Sequence, residues 1–168
     1  GTLTEGRPSV AKVVALNGHS EQELLERAGA LEASSQHPLA RAICEYVNAR
    51  GLRSEQARDF TLIPGKGATA QLDGRTFWLG SHRFLEERGQ NTSEVHSLLD
   101  EMSVTGHSVV VIGNESHVCG LIALADRLRP GVRELLAATR AMGVPHIVML
   151  TGDNEGTART IARQAGIE

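Results

Sequence analysis

The stretch GATAQLDGRTFWLG, residues 67–80, restricts the fold most, because it specifies a pair of antiparallel strands residue by residue. Asp73-Gly74 is the strongest short signal for a two-residue hairpin loop. Counting outward from this loop places Leu72 opposite Arg75 and, at the far end, Gly67 opposite Gly80. The face that carries Leu72 is mostly apolar, so this register suits burial against a core.

The glycines at the far end of the hairpin leave a patch without side chains, which Gly65 extends. Glycine inside a strand usually marks a bulge or the close approach of another backbone. A planar ring can lie against such a patch and contact its backbone, whereas a β-bulge without any ligand explains the same residues. Both interpretations stay open at this point.

The rest of the chain shows two different patterns of predicted secondary structure. A capping box at Ser20 and Glu23 and a proline at position 38 predict the starts of two helices, and extended and helical patterns alternate up to about residue 125. From residue 126 onward the pattern is helix, apolar strand (HIVMLTGD, residues 146–153) and helix, typical of a parallel sheet. We therefore predict an antiparallel α+β unit over residues 10–125 and part of an α/β domain over 126–168.

Composition narrows the function classes. The net charge of −3 implies no broad basic surface for nucleic acid, and no run of 18 apolar residues is present to span a membrane. Cys44 and Cys119 lie far apart, in no metal-ligand spacing, and are interpreted as buried small hydrophobic residues. The histidines other than His37 show no metal-binding spacing either, and are interpreted as surface residues.

Two short motifs are candidate sites. His37 precedes Pro38 and is therefore held extended, so that a neutral ring can project away from the helix to stack on a base or accept a hydrogen bond, although a turn histidine without a function explains the same position. In the motif VMLTGDN, an apolar strand delivers three residues to its C-terminal tip, where ligands bind in open α/β sheets. These residues are Thr151, Gly152 and Asp153. A hydroxyl, a flexible glycine and a carboxylate suit the binding of phosphate and Mg²⁺, although a simple turn between strand and helix explains the same residues equally well.

The motifs EASSQHP, PGKG…LGS and MLTGDN, in this order and together with GTLTEG and DRLRP, resemble the ATP-binding region of the heavy-metal-transporting (type IB) P-type ATPases. The family pattern is a glutamate, Ser-x-His-Pro, GxG and a further glycine. In this sequence the pattern falls on Glu32, Ser35, His37, Pro38, Gly65, Gly67 and Gly80. The resemblance implies that this set forms an adenine pocket. Lys66 and Ser81, which lie within the same motifs, are predicted to contact the nucleotide as well.

The resemblance also implies a mechanism and cofactors, ATP and Mg²⁺. Adenine is expected between His37 and the glycine patch, with Glu32 accepting a hydrogen bond from its exocyclic amine, and residues 151–153 are expected to support phosphate and Mg²⁺. The family's phosphorylation motif DKTGT is represented only by Gly1-Thr2, so the aspartate that accepts phosphate is absent. Residues 1–9 are then the start of the phosphorylation domain or hinge, 10–125 a nucleotide-binding domain, and 126–168 an incomplete haloacid-dehalogenase-like α/β segment.

The expected setting is an efflux pump for zinc, cadmium, lead or cobalt rather than copper, with this chain at the cytoplasmic face of the membrane. Its partners are ATP or ADP and the phosphorylation, actuator and transmembrane domains of the same pump. The chain itself is expected to be a soluble monomer, without a site for the transported ion, that binds nucleotide without hydrolysing it. Two alternatives stay open: a soluble haloacid-dehalogenase-type phosphohydrolase with residues 10–125 as its cap, and a non-catalytic adenine-nucleotide-binding module.

Overall fold

A computed structural model describes residues 2–151 and 155–167 of the chain. Its centre is one antiparallel sheet in the order β1-β6-β5-β4-β3-β2. The strands are β1 (Thr4–Ala15), β2 (Arg58–Ile63), β3 (Gly67–Leu72), β4 (Arg75–Gly80), β5 (Ser108–Asn114) and β6 (Val118–Leu128). The predicted α+β class with an antiparallel sheet is confirmed.

Helices cover both faces of the sheet. They are α1 (Glu21–Glu32), α2 (Pro38–Ala49), α3 (His82–Glu87), α4 (Ser93–Val104), α5 (Val132–Ala141) and α6 (Glu155–Ala165). α1 and α2 pack on the face that carries Leu79, and α3 and α4 pack on the face that carries Trp78. Because successive residues of a strand point to opposite faces, β4 is buried on both sides. None of the described helices has the length and hydropathy that crossing a bilayer requires.

The hairpin of β3 and β4 forms as predicted. Its paired residues run from Leu72 with Arg75 to Gly67 with Gly80. Asp73 and Gly74 both have positive φ angles, 50° and 72°, as the tight turn that joins twisted strands requires. Local turn chemistry is therefore sufficient to set the register of this pair.

The predicted helix starts are also confirmed. The Ser20 hydroxyl accepts a hydrogen bond from the backbone of Glu23, whose carboxylate accepts one from the backbone of Ser20. Pro38 is the first residue of α2. Both devices satisfy, or remove, backbone donors that would otherwise lack partners in the first turn of a helix.

The prediction of a buried strand at residues 146–153 is wrong for the part that the structure describes. Residues 144–151 have no regular secondary structure, and Val148 and Leu150 are 78% and 93% exposed. Ile147 and Met149 alternate with them and pack against a small cluster that α5 and α6 form with the end of β6. A strand is stabilised by pairing with neighbours, and no described strand pairs with this segment.

The sheet extends across both of the domain boundaries expected from the sequence. β1 begins at Thr4, before residue 10, and Thr4 pairs with Leu128 of β6, beyond residue 125. The division into 1–9, 10–125 and 126–168 stays a prediction.

Candidate functional site

A cleft of about 320 Å³ opens where the end of α1 and the start of α2 face the β2–β3 loop and the end of β4. Segments distant in sequence contribute to it. The structure brings eight of the predicted nucleotide-binding residues to its lining: Glu32, Ser35, His37, Gly65, Lys66, Gly67, Gly80 and Ser81. Pro38 does not line the cleft and instead begins α2 beside His37.

Glu32 places a carboxylate in this cleft from the last residue of α1. It is only 7% exposed, and burial raises its pKa, while a hydrogen bond from the Ser35 side chain acts in the opposite direction. Leu39, Ala68 and Leu79 add apolar surface nearby. The cleft thus contains a hydrogen-bond acceptor shielded from water.

His37 has a structural role that the sequence analysis missed. Its backbone is extended, as expected before a proline, but its ring turns back and Nδ1 accepts a hydrogen bond from the backbone N–H of Leu39 at 3.2 Å. The proton of a neutral ring then lies on Nε2, which leaves one donor and both ring faces for other contacts. The signal was present in the sequence, because the residue before a proline at the first helical position is the N-cap.

The three glycines of the cleft serve two different purposes. A Cβ on Gly67 would lie 2.0 Å from the carbonyl oxygen of Leu79, and a Cβ on Gly80 would lie 2.5 Å from the carbonyl oxygen of Lys66. Gly67 and Gly80 therefore allow close backbone packing within the sheet. Gly65, with φ of 72° and nothing within 4 Å of its Cβ position, leaves open space at the cleft.

Lys66 and Ser81, each beside a glycine of the cleft, are joined by a backbone hydrogen bond. The backbone N–H of Ser81 donates to the carbonyl oxygen of Lys66 at 2.9 Å, and the Lys66 ammonium pairs with Glu87 of α3 at 2.5 Å. The hydrogen bond from Lys66 lowers the pKa of Glu87. Among the described residues, the buried Ser81 hydroxyl finds no hydrogen-bond partner. The Ser81 hydroxyl is thus buried and unpaired in the described part of the chain, whereas the Lys66 charge is paired.

These features fit a planar, uncharged ring that carries an amine. Apolar side chains and bare backbone would suit the faces of such a ring, and the buried Glu32 carboxylate would suit an amine at its edge. A carboxylate acceptor would repel a carbonyl oxygen at the same position, so an amino-substituted ring suits this carboxylate better than an oxo-substituted one.

Thr151, the one predicted phosphate and Mg²⁺ residue that the structure describes, lies in a different part of the molecule. Thr151 lines a pocket of about 250 Å³ together with Thr2 and Thr4, next to α6. Gly152 and Asp153 lie outside the described residues. The two pockets share no lining residue.

Comparisons with known proteins agree on the family. The family model for haloacid dehalogenase-like hydrolases matches residues 1–168. The copper-exporting P-type ATPase B of Archaeoglobus fulgidus is 41% identical over 168 residues, which are 100% of this chain and 24% of the relative. This chain therefore spans about a quarter of the length of that relative.

Solved structures support the same assignment. A zinc-transporting PIB-type ATPase superposes with a TM-score of 0.83 at 33% identity, over 99% of this chain and 27% of that chain. The N-domain of HMA8, a copper-transporting P-type ATPase, matches with a TM-score of 0.59 at 34% identity, over 68% of this chain and 98% of that chain. The chain belongs to the haloacid dehalogenase-like hydrolases and, among them, to the heavy-metal P-type ATPases.

Proposed function

We propose that this chain is the ATP-binding part of an ATP-driven heavy-metal efflux pump, and that it holds the adenine of ATP in the cleft of Glu32 and His37. The observation that carries the proposal is the buried Glu32 carboxylate, which shares one cleft with His37, the glycine loop and Ser81. A buried carboxylate is costly unless something pairs with it. The exocyclic amine of adenine is a suitable partner.

The cleft residues have different proposed contacts with the nucleotide. Glu32 accepts a hydrogen bond from the amine, and the apolar walls and bare backbone hold the ring. His37 contributes a ring face and its Nε2 donor, because its Nδ1 is already used to cap α2. Guanine carries an oxygen in place of the amine, and its repulsion by Glu32 makes GTP the weaker ligand.

ATP supplies the phosphoryl group, and the aspartate that accepts it in the family motif is absent from this sequence. The role proposed for this chain is to bind and orient the nucleotide. Thr151, Gly152 and Asp153 would support phosphate and Mg²⁺. The partners are the phosphorylation, actuator and transmembrane domains of the pump, with this part at the cytoplasmic face of the membrane.

The transported ion is proposed to be zinc, cadmium, lead or cobalt rather than copper, because the sequence of residues 30–43 resembles that branch of the family more closely. The relatives include both copper and zinc transporters. Metal-stimulated ATP hydrolysis by the full-length pump, measured across these ions, tests the preference. Stimulation by Cu⁺ alone would contradict it.

Calorimetric titration of the chain with ATP, AMP and GTP tests the nucleotide proposal. We expect adenine nucleotides to bind with about −4 to −6 kcal/mol, in the high micromolar to millimolar range, and GTP to bind more weakly. The chain should release no phosphate from ATP. Equal affinity for GTP and ATP would overturn the role of Glu32, and hydrolysis of simple phosphomonoesters would favour the phosphohydrolase alternative.

A further inference from the structure

A second cluster of chemically active side chains lies at the end of α1 opposite the cleft. His19 precedes the N-cap Ser20 of α1, His117 lies in the turn between β5 and β6, and Cys119 follows in β6. Each offers a ligand atom, and these atoms lie within 4.8 Å of one another. His19 and His117 are 98 residues apart in sequence, so their spacing could not reveal the cluster.

The two imidazoles face each other through their Nε2 atoms, 2.9 Å apart, with stacked rings. Arg27 donates to Nδ1 of His19, so the proton of a neutral His19 lies on Nε2 and is donated to His117. Nδ1 of His117 in turn contacts the Ser116 hydroxyl at 2.9 Å. Nδ1 of His117 then donates to that hydroxyl, as the second nitrogen of a metal-binding imidazole usually does, whereas Nδ1 of His19 accepts from Arg27 and has to become a donor when an ion binds Nε2.

Cys119 forms the buried side of the cluster. Its side chain is 0% exposed, and burial raises its pKa to about 11, so that without an ion the sulfur carries its proton. The imidazoles are partly exposed and provide the side from which an ion can enter. Coordination of a cation removes the proton from a thiol.

We propose that His19, His117 and Cys119 form a binding site for Zn²⁺, with a water molecule as fourth ligand. Two imidazoles and one thiolate are ligands that Zn²⁺ uses in four-coordinate sites. A tetrahedral ion with Zn–N bonds of 2.0–2.1 Å requires nitrogens about 3.3 Å apart, so the two Nε2 atoms, at 2.9 Å, have to separate by a few tenths of an ångström. With a Zn–S bond of about 2.3 Å the sulfur has to lie about 3.6 Å from each nitrogen, whereas the three ligand atoms span up to 4.8 Å, so the side chains have to close around the ion by about 1 Å.

The Cys119 thiol releases one proton to solvent, and the proton on Nε2 of His19 moves to Nδ1 as the ion binds Nε2. Arg27 then loses its acceptor on His19 but retains Glu23, with which it already pairs at 3.5 Å. The thiolate charge offsets the guanidinium nearby, so the ion does not add to an uncompensated positive site.

The ion would tie the β1–α1 connection to the β5–β6 turn. It would therefore stabilise the folded chain, because the unfolded chain holds its ligands far apart. This proposal does not depend on nucleotide binding in the cleft, and the two are tested separately.

Titration of the tag-free, reduced chain with Co²⁺, followed by competition with Zn²⁺, tests the site. We expect one Co²⁺ per chain, a thiolate-to-cobalt charge-transfer band, the intense visible bands of a four-coordinate ion, and their loss on addition of Zn²⁺. Zn²⁺ should also raise the melting temperature.

His117→Gln and Cys119→Ser should each weaken binding by ~10-fold or more, and Cys119→Ser should remove the charge-transfer band. Cys44→Ser and His146→Gln, which change a cysteine and a histidine elsewhere, should leave the spectrum unchanged. Circular dichroism shows whether Cys119→Ser folds; if it does not, the variant His117→Gln, at a partly exposed position, provides the test. A spectrum without the thiolate band, a band that Cys44→Ser removes, or unchanged binding in His117→Gln would overturn the proposal.

Discussion

β6 and residues 144–151 are both apolar, but they lie in contrasting surroundings. β6 lies between β1 and β5, and from Val118 to Leu124 all its residues are buried. In the described part of the chain no strand pairs with residues 144–151, and of their apolar side chains Ile147 and Met149 pack against a small cluster. Apolar residues favour a strand only where neighbours satisfy its backbone donors and acceptors.

Truncation of one leucine in each region should give the largest difference. Leu121→Ala, at a fully buried position of β6, is expected to lower the free energy of unfolding by about 3–5 kcal/mol, through lost burial and a residual cavity. Leu150→Ala, at a position that is 93% exposed, should change it by no more than about 0.5 kcal/mol. Urea denaturation measures both; similar losses would show that residues 144–151 are packed in solution.

Two neighbouring glycines extend the contrast to the cleft. Gly67→Ala should cost about 2–3 kcal/mol, because its Cβ meets backbone of β4 that cannot move aside. The added Cβ of Gly65→Ala meets no atom, so this variant should lose about 1 kcal/mol of stability, from the positive φ alone. Thermal unfolding of the two variants provides the comparison, and equal stability would contradict the close packing of β3 against β4.

His37 variants separate capping from ligand contact. His37→Ala should lower stability by about 1 kcal/mol, since α2 loses its N-cap. His37→Asn supplies another capping side chain and should restore most of that stability. Neither variant retains the ring, so both should bind ATP more weakly in calorimetry. Full ATP affinity in His37→Asn would exclude a role for the imidazole.

The smallest expected effect is a pH dependence at Glu32, where Ser35 offsets part of the influence of burial. Because folding raises the pKa of this carboxyl, its contribution favours the folded state below the ordinary glutamate pKa and is lost as pH rises through the raised value. Glu32→Gln should therefore gain stability relative to the unsubstituted chain between acidic and neutral pH. Parallel stability–pH curves for the two proteins would contradict the burial of a titrating carboxyl.

The features that could be predicted from the sequence are those that depend on residues close together along the chain. Asp73-Gly74 was sufficient for the hairpin register, and Ser20 with Glu23 for the start of α1. The cap formed by His37 was equally local but was overlooked. The residues of the cleft came from a family resemblance, because the meeting of α1, α2 and the glycine loop is a product of tertiary packing.

What the sequence could not predict depends on partners far along the chain. Nothing near His19 indicates that His117 lies beside it. The apolar segment 146–151 resembles a buried strand in every local respect, and only the absence of a paired strand among the described residues distinguishes it from β6.

Titration of the isotopically labelled chain with ATP, followed by NMR, tests directly whether the cleft binds adenine. We expect progressive shifts for the amides of Gly65, Gly67, Gly80 and the first turn of α2, smaller shifts with GTP, and unchanged resonances in α5 and α6. Absence of shifts around the cleft at millimolar ATP, or shifts confined to residues 129–167, would contradict it.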